Sequence, residues 1–460
     1  MMSATTGVTA SRMNAGVDGG TSPALAALLV GTFVGTVSNN IVNVPLTAIL
    51  DDFEAPLSSG IFVVVAFLLT FAAAMPLAGW IGDRFGRRRV YCAALIGTAI
   101  CSLGAALAPS LPVLVMWRSF GGVAAAAFAP AVMGLIAWLF GPARRARAVG
   151  AWAAVNGIGQ AMGPSLGGVV SDLMGWRWVF VPLIPAALIG YFATMKFIPR
   201  YPAKKMQLDW VGAITLTSGA GSIVLGISLA SQGSRNAWLS GILVVAGIAL
   251  VSVFVAWCLR AKDPFVPIDL VLESRFLRSA LAAFAQMFAL GATLLALPLY
   301  LTSGGSSTTS AGLVLFVLPL SMTVSAPVVG RYVDRLGGRM TMRCGLSILI
   351  VGLCVLATIL QLDVRNMWSL SGVLIVVGVG VAMVQTPAAA GSTRSPAGAV
   401  GTGLGLFNLI RFGGSAVGAA WVGIAVNVAD SPFALLFGIT SAVVAVGFAA
   451  TFVGEDPIAV

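Results

Sequence analysis

Asn39, Asn40 and Asn43 stand in an otherwise apolar run from Pro23 to Leu50. Amides there can hydrogen-bond an uncharged solute, but they cannot act as strong acids or bases. Thr32, Thr36, Asn40, Asn43 and Thr47 follow helical spacings and form one polar stripe, with Ser38 and Asn39 beside it. Such a stripe in a membrane span either wets a cavity or bonds neighbouring helices. Other long apolar runs carry Asn156, Gln160, Gln286, Gln385 and Asn408, and Trp152 and Phe407 add aromatic faces. Together with Arg411 these residues make a candidate substrate cavity that binds by hydrogen bonds and ring contacts.

Catalytic chemistry is poorly provided for. The chain has no histidine, and none of its 15 acids falls in the middle of an apolar run. Its five cysteines, Cys92, Cys101, Cys258, Cys344 and Cys354, have no metal-ligand spacing and read as small apolar fillers. No metal site, cofactor site or catalytic set is expected, so the chain is not read as an enzyme. Two cations do lie inside apolar runs, Arg118 and Arg411. Each either hydrogen-bonds carbonyls and locks helices or takes part in charge movement. The two together predict a neutral-to-positive cavity that favours neutral, zwitterionic or anionic organic molecules.

The elements that must position these groups are membrane helices. The 460 residues are 58% hydrophobic and only 9% charged, with mean hydropathy +1.00. A soluble chain carries about 25% charged residues. Fourteen apolar segments are predicted, at 23–50, 57–80, 90–108, 111–140, 147–172, 176–198, 210–230, 237–259, 277–301, 310–330, 340–360, 367–390, 397–427 and 431–453. With the N-terminus inside, 21 of the 26 basic residues fall on the cytoplasmic side, which supports the count and both cytoplasmic termini. The net charge of +11 therefore reads as membrane orientation, not nucleic-acid binding. The polar stretch 1–22 reads as a disordered cytoplasmic tail, and 454–460 as a second short tail.

An internal repeat sets the organisation. "GWIGDRFGRR" from Gly79 and "GRYVDRLGGR" from Gly330 share a G-x-x-x-D-R-x-G-x-R pattern. Gly79, Asp83, Arg84, Gly86 and Arg87 in the first copy match positions that include Asp334 and Arg335 in the second. Parallel repeats of this kind mark transporters built from two related halves. The expected division is a six-helix bundle over 23–198, two inserted helices within 199–262, and a second six-helix bundle over 263–453. A further motif, "GIGQAMGPSLGG" from Gly157, spaces Gly159, Gly163 and Gly167 by four and adds Pro164 and Gly168. The glycines give a smooth packing face and the proline bends the helix, as a gate that rocks against the other half requires.

These motifs resemble the major facilitator superfamily. "GDRFGRRR" from Gly82 is similar to its signature between helices 2 and 3, "WRSFGGVAAAAFAPA" from Trp117 to its helix-4 motif, and the Gly157 motif to that of its proton-driven exporters. With "GWRWVF" from Gly175, "LDW" from Leu208, "PLYL" from Pro298 and "SAGL" from Ser310, the chain resembles fourteen-helix drug:proton antiporter-2 exporters. The resemblance implies a monomeric inner-membrane exporter of small organic molecules, exchanging them for protons by alternating access. It links Arg118 to proton transfer. It also exposes two departures: Ser38 stands where the family's first helix typically has an aspartate, and Leu183 where it has an asparagine. Without that carboxylate the obvious proton carrier is missing, and Asp172, at the end of the Gly157 motif, is the acid put forward for coupling beside Arg118. An uncoupled metabolite or lipid exporter is the alternative, and a non-transporting sensor or scaffold is the reading of another class.

Overall fold

The computed structural model describes residues 21–140, 142–200, 209–230, 237–261, 264–266, 271–394, 401–428 and 432–454. Of the expected tails, 1–22 and 454–460, residues 1–20 and 455–460 lie outside the described residues. The elements are α1 (Thr21–Asn40), α2 (Leu46–Asp52), α3 (Leu57–Phe85), α4 (Arg87–Ala106), α5 (Leu111–Ala125), α6 (Phe128–Leu139), α7 (Pro142–Met174) and α8 (Leu183–Phe197). They continue with α9 (Trp210–Ala230), α10 (Ala237–Cys258), α11 (Ser274–Ser303), α12 (Thr308–Leu336), α13 (Gly338–Gln361), α14 (Met367–Arg394), α15 (Gly401–Val428) and α16 (Pro432–Ala450). Among the described residues there is no strand. In a bilayer only such internally hydrogen-bonded segments satisfy their own backbones.

Twelve helical segments among the described residues are long and apolar enough to cross a membrane. The sequence reading expected fourteen. The two outside the twelve are the segments predicted at 23–50 and 147–172, both helical. Their amides and glycines lower their hydropathy, so length and apolarity alone do not certify them as spans.

Other boundaries differ for local reasons. The segment expected at 23–50 breaks at 41–45, because Pro45 has no N–H to give the Ile41 carbonyl. The one expected at 111–140 is split into α5 and α6 at Ala126 and Ala127. The expected 82–89 loop is nearly all helix. α3 continues to Phe85, Gly86 alone turns with φ 96°, and α4 begins at Arg87. Gly337, with φ 80°, makes the same one-residue joint between α12 and α13. Only glycine adopts such angles readily, and an immediate turn keeps both helices at full length.

Two seams join the N-terminal helices to the C-terminal ones. α3 packs along α15, and α7 along α12. α9 and α10 pair tightly with one another, and α9 lies across the α3/α15 seam, burying Ala213 and Leu216 with Ala72, Leu406 and Leu409. Asp209 ties this pair in place. It accepts from the Gly212 N–H at the start of α9, the Trp257 indole on α10 and the Phe265 N–H beyond it. The apolar core is divided unequally. One cluster unites Val37 to Leu50 and Trp176 to Leu183 with the C-terminal helices. A second, around Leu28, Phe67, Tyr91 and Leu135, is built from N-terminal helices, with only Phe412 reaching it. The halves share the first cluster at the end remote from the arginine-rich joints, and toward those joints they meet where Pro76 of α3 faces Gly405 of α15.

Candidate functional site

Arg118, on α5, is buried in the apolar interior and held by backbone carbonyls. Its Nη1 donates to the Ser38 carbonyl at 2.7 Å and its Nε to the Val63 carbonyl at 3.1 Å. Its guanidinium also lies 4.2 Å from the centre of the Phe67 ring. Ser38 belongs to the last turn of α1, where carbonyls lose their helical partners because the chain breaks before Pro45. An arginine at a helix C-terminus suits both the free carbonyls and the negative end of the helix dipole. Arg118 Nη2 remains buried without a partner.

The polar stripe on α1 is largely satisfied by its own helix. The Thr32 hydroxyl donates to Leu28 O, the Thr36 hydroxyl to Thr32 O, and Asn40 Nδ2 to Thr36 O. Thr36 and Asn40 face α7, where a Cβ on Gly159 or Gly163 would come within 2.9 Å of their side chains. Gly167 meets the backbone of Ile41. This changes the expected roles. Gly159, Gly163 and Gly167 seat α1 within the same half, while Pro164 and Gly168 face α12 through Gly312 and Thr308. A helix repeats every 3.6 residues, so two stripes one residue apart can serve two partners.

The remaining buried atoms are more informative. Asn39 Oδ1, Asn43 Oδ1, both polar atoms of Gln286, Gln385 Oε1, Arg118 Nη2 and Arg411 Nε are buried without hydrogen-bond partners. Each such atom costs about 1–3 kcal/mol unless water or a ligand meets it. Gln286 on α11 is fully buried. α14 runs antiparallel to α11, and Ser279 touches Gly391. Seven residues along α11 and six along α14 from that contact bring Gln286 and Gln385 to a similar depth. Asn156 and Gln160 bond one another on α7 at 2.6 Å. Trp152 packs against the N-terminal core cluster, Phe407 against Phe276, and Asn408 is half-buried on α15.

Three phenylalanines not singled out in the sequence connect the two cations. Arg118 lies over Phe67, Phe67 stacks with Phe71 at 5.9 Å, and Phe71 meets Phe412 of the other half edge-on at 4.9 Å. Arg411 lies over Phe412 at 4.9 Å. The available signal was the one-turn spacing of Phe67 and Phe71.

The motif residues hold joints and seams. Asp83 pairs with Arg87 at 2.7 Å, and Arg87 rests against Gly134 on α6. Gly79 and Gly86 are buried, while Arg84 and Arg335 are exposed. The Asp334 side chain lies outside the described residues. Along α7/α12, Ser165 donates to Gly312 O at 3.0 Å. At the seam's end Asp172 Oδ2 accepts from the Thr309 N–H at 2.7 Å and from the Thr309 hydroxyl. Asp172 thus joins the two halves at the surface and does not line the interior.

Comparison with known proteins was consistent with this architecture. The sequence pattern of the Major Facilitator Superfamily matches residues 28–419. The chain is 29% identical over 400 residues to the "Drug efflux pump JefA" of Mycobacterium tuberculosis, covering 86% of this chain and 78% of that one. It is 27% identical over 320 residues to the "Multidrug export protein EmrB" of Escherichia coli, covering 68% and 62%. A POT family transporter solved with 5-aminolevulinic acid superposes with TM-score 0.71 at 13% identity, over 92% of this chain and 94% of that one. The E. coli xylose transporter XylE, in a partially occluded inward-open conformation, superposes with TM-score 0.68 at 15% identity, over 94% and 99%.

Proposed function

This chain belongs to the Major Facilitator Superfamily, and from that membership we propose that it exports small organic molecules across a cell membrane by alternating access, in exchange for protons. The observation that carries this reading is the set of buried, unpartnered polar atoms on α1, α5, α11, α14, α15 and the α1/α2 break. Such a set has little structural value and suits a solute that comes and goes. Relatives whose names state drug efflux and multidrug export point the same way.

In this reading α1 with α2, and α7, are spans as well, making fourteen. The bundles at 23–198 and 263–453 move about the α3/α15 and α7/α12 seams, with the pair in 199–262 as an insertion. The arginine-rich joints lie in the cytoplasm with both termini, and the membrane is the bacterial inner one. The protein works as a monomer. Asn39, Asn43, Gln286 and Gln385 bind by hydrogen bonds. Arg118 and Arg411 favour neutral, zwitterionic or anionic molecules over cations, since no acid of the described spans stands beside them. Asp172 contacts only the outer surface, and a proton carrier must face both sides in turn. It therefore serves as an outer latch, and Arg118, which stays protonated, is put forward for coupling as a fixed interior charge and not as the proton carrier.

Proteoliposomes loaded with a pH-sensitive dye test this directly. Cationic, neutral and anionic organic compounds are added in turn to wild-type protein and to Arg118→Gln. Proton movement with neutral or anionic compounds, lost in the variant, is the expected result. Arg118 meets carbonyls and a ring in place of a carboxylate, which favours one second reading, transport without proton coupling. That reading predicts labelled compound crossing with a silent dye. No flux of any compound would overturn both.

A further inference from the structure

The repeat makes one site stand out. In the N-terminal half, the second residue past Asp83-Arg84-Phe85 is Arg87, whose guanidinium lies on Gly134 and reaches the Pro130 carbonyl at 3.5 Å. Pro130 to Gly134 reads "PAVMG", and Pro387 to Gly391 on α14 reads "PAAAG". The counterpart of Arg87 in the second half is Gly338, which faces Pro387. The seat that one half fills with an arginine side chain is thus left open in the other. A cavity of about 200 Å³ lies there, lined by Gly338, Pro387, Gly391, Arg275, Arg278 and Arg339 among others.

We infer that this cavity binds a phosphate-bearing anion. Three arginines border it, and among the described residues that line it none is an acid. Two of them are fixed by the turn that follows α16. Arg278 donates to the Val453 carbonyl at 3.2 Å, and Arg339 to the Thr451 carbonyl at 2.9 Å. Glu273, nearby in sequence, has its carboxylate engaged by the Arg275 and Phe276 N–H groups at the start of α11. The first turn of α13 opens on the same cavity at Gly338 and has no side-chain cap, so its N–H groups and dipole add to the attraction. Planar forks held in place suit phosphate oxygens. The cavity lies at the arginine-rich end, where a lipid phosphate and a free phosphate are both within reach.

Delipidated protein in detergent, examined by native mass spectrometry with added phosphatidylglycerol, phosphatidylcholine or inorganic phosphate, provides the test. Wild type is expected to retain phosphatidylglycerol about 10-fold better than phosphatidylcholine, or to bind inorganic phosphate. Gly338→Arg, which supplies the side chain that the other half carries, and Arg275→Gln are each expected to lower that binding about 10-fold. Arg365→Gln, at the opposite end, should leave it unchanged. Displacement of phosphatidylglycerol by 10 mM (on the order of) inorganic phosphate identifies a free-phosphate site, and resistance identifies a headgroup site. Equal retention of the two lipids with no phosphate bound would overturn the inference, as would wild-type binding in both cavity variants at unchanged melting temperature.

Discussion

Arg118 obtains from backbone carbonyls what a carboxylate would otherwise supply. The break before Pro45 frees the Ser38 carbonyl, and the guanidinium takes it. Arg118→Gln loses charge-assisted hydrogen bonds of about 1.5–3 kcal/mol each and should slow transport of anionic compounds by about 10- to 100-fold in vesicle uptake. Ser38→Asp should do the reverse for specificity. A carboxylate beside Arg118 should admit cationic dyes that the wild type rejects, read as dye efflux from cells. At the outer surface, Asp52 accepts from Arg177 at 2.7 Å and from the Trp176 indole at 3.2 Å. The Arg177 hydrogen bond, then that of Trp176, holds its carboxyl below the ordinary value of 3.8. A lowered carboxyl stabilises the fold fully above the unfolded value and loses that effect as pH falls through the folded one. The melting-temperature gap between wild type and Asp52→Asn should be constant from about pH 5 to 8 and shrink below about pH 4.

Among the elements, α7 does the most distinct work, because its two small-residue stripes face different partners. One seats α1, and the other meets α12 across the halves. Gly168→Val would push into the Thr308 backbone and should hold the outer seam open. Thiol labelling of Ser38→Cys from outside would then rise several-fold, whereas Gly163→Val should instead lower expression by displacing α1. The sequence pattern made α7 legible as a glycine-and-proline helix, but not which stripe met which neighbour. Spacing gives a face, and only the packed bundle says what covers it. The stripe on α1 misled for a related reason. Threonine and asparagine at one-turn spacing can bond their own helix, which looks the same in sequence as a wetted wall. Asn39, beside the stripe, and Asn43, in the break, proved to be the ones left unpaired.

Over the whole molecule the two halves meet along the α3/α15 and α7/α12 seams, with Asp172 and Thr309 linking them at the end remote from the arginine-rich joints. Cysteines at both positions should crosslink on oxidation, stop transport, and release it with reductant. The superfamily fold and the repeat were readable because they rest on charge alternation and motif order. The identity of the inner polar set was readable only as residue types, since an unpaired amide differs from a paired one by its surroundings alone. Gln286 therefore offers the sharpest test of the account, through paired measurements of melting temperature and labelled-compound uptake for Gln286→Leu. A buried amide kept for a solute should cost stability, so the variant should melt at the same or a higher temperature while uptake of neutral compounds falls about 10-fold. Unchanged uptake would contradict the claim that the buried, unpartnered polar atoms form the transport site.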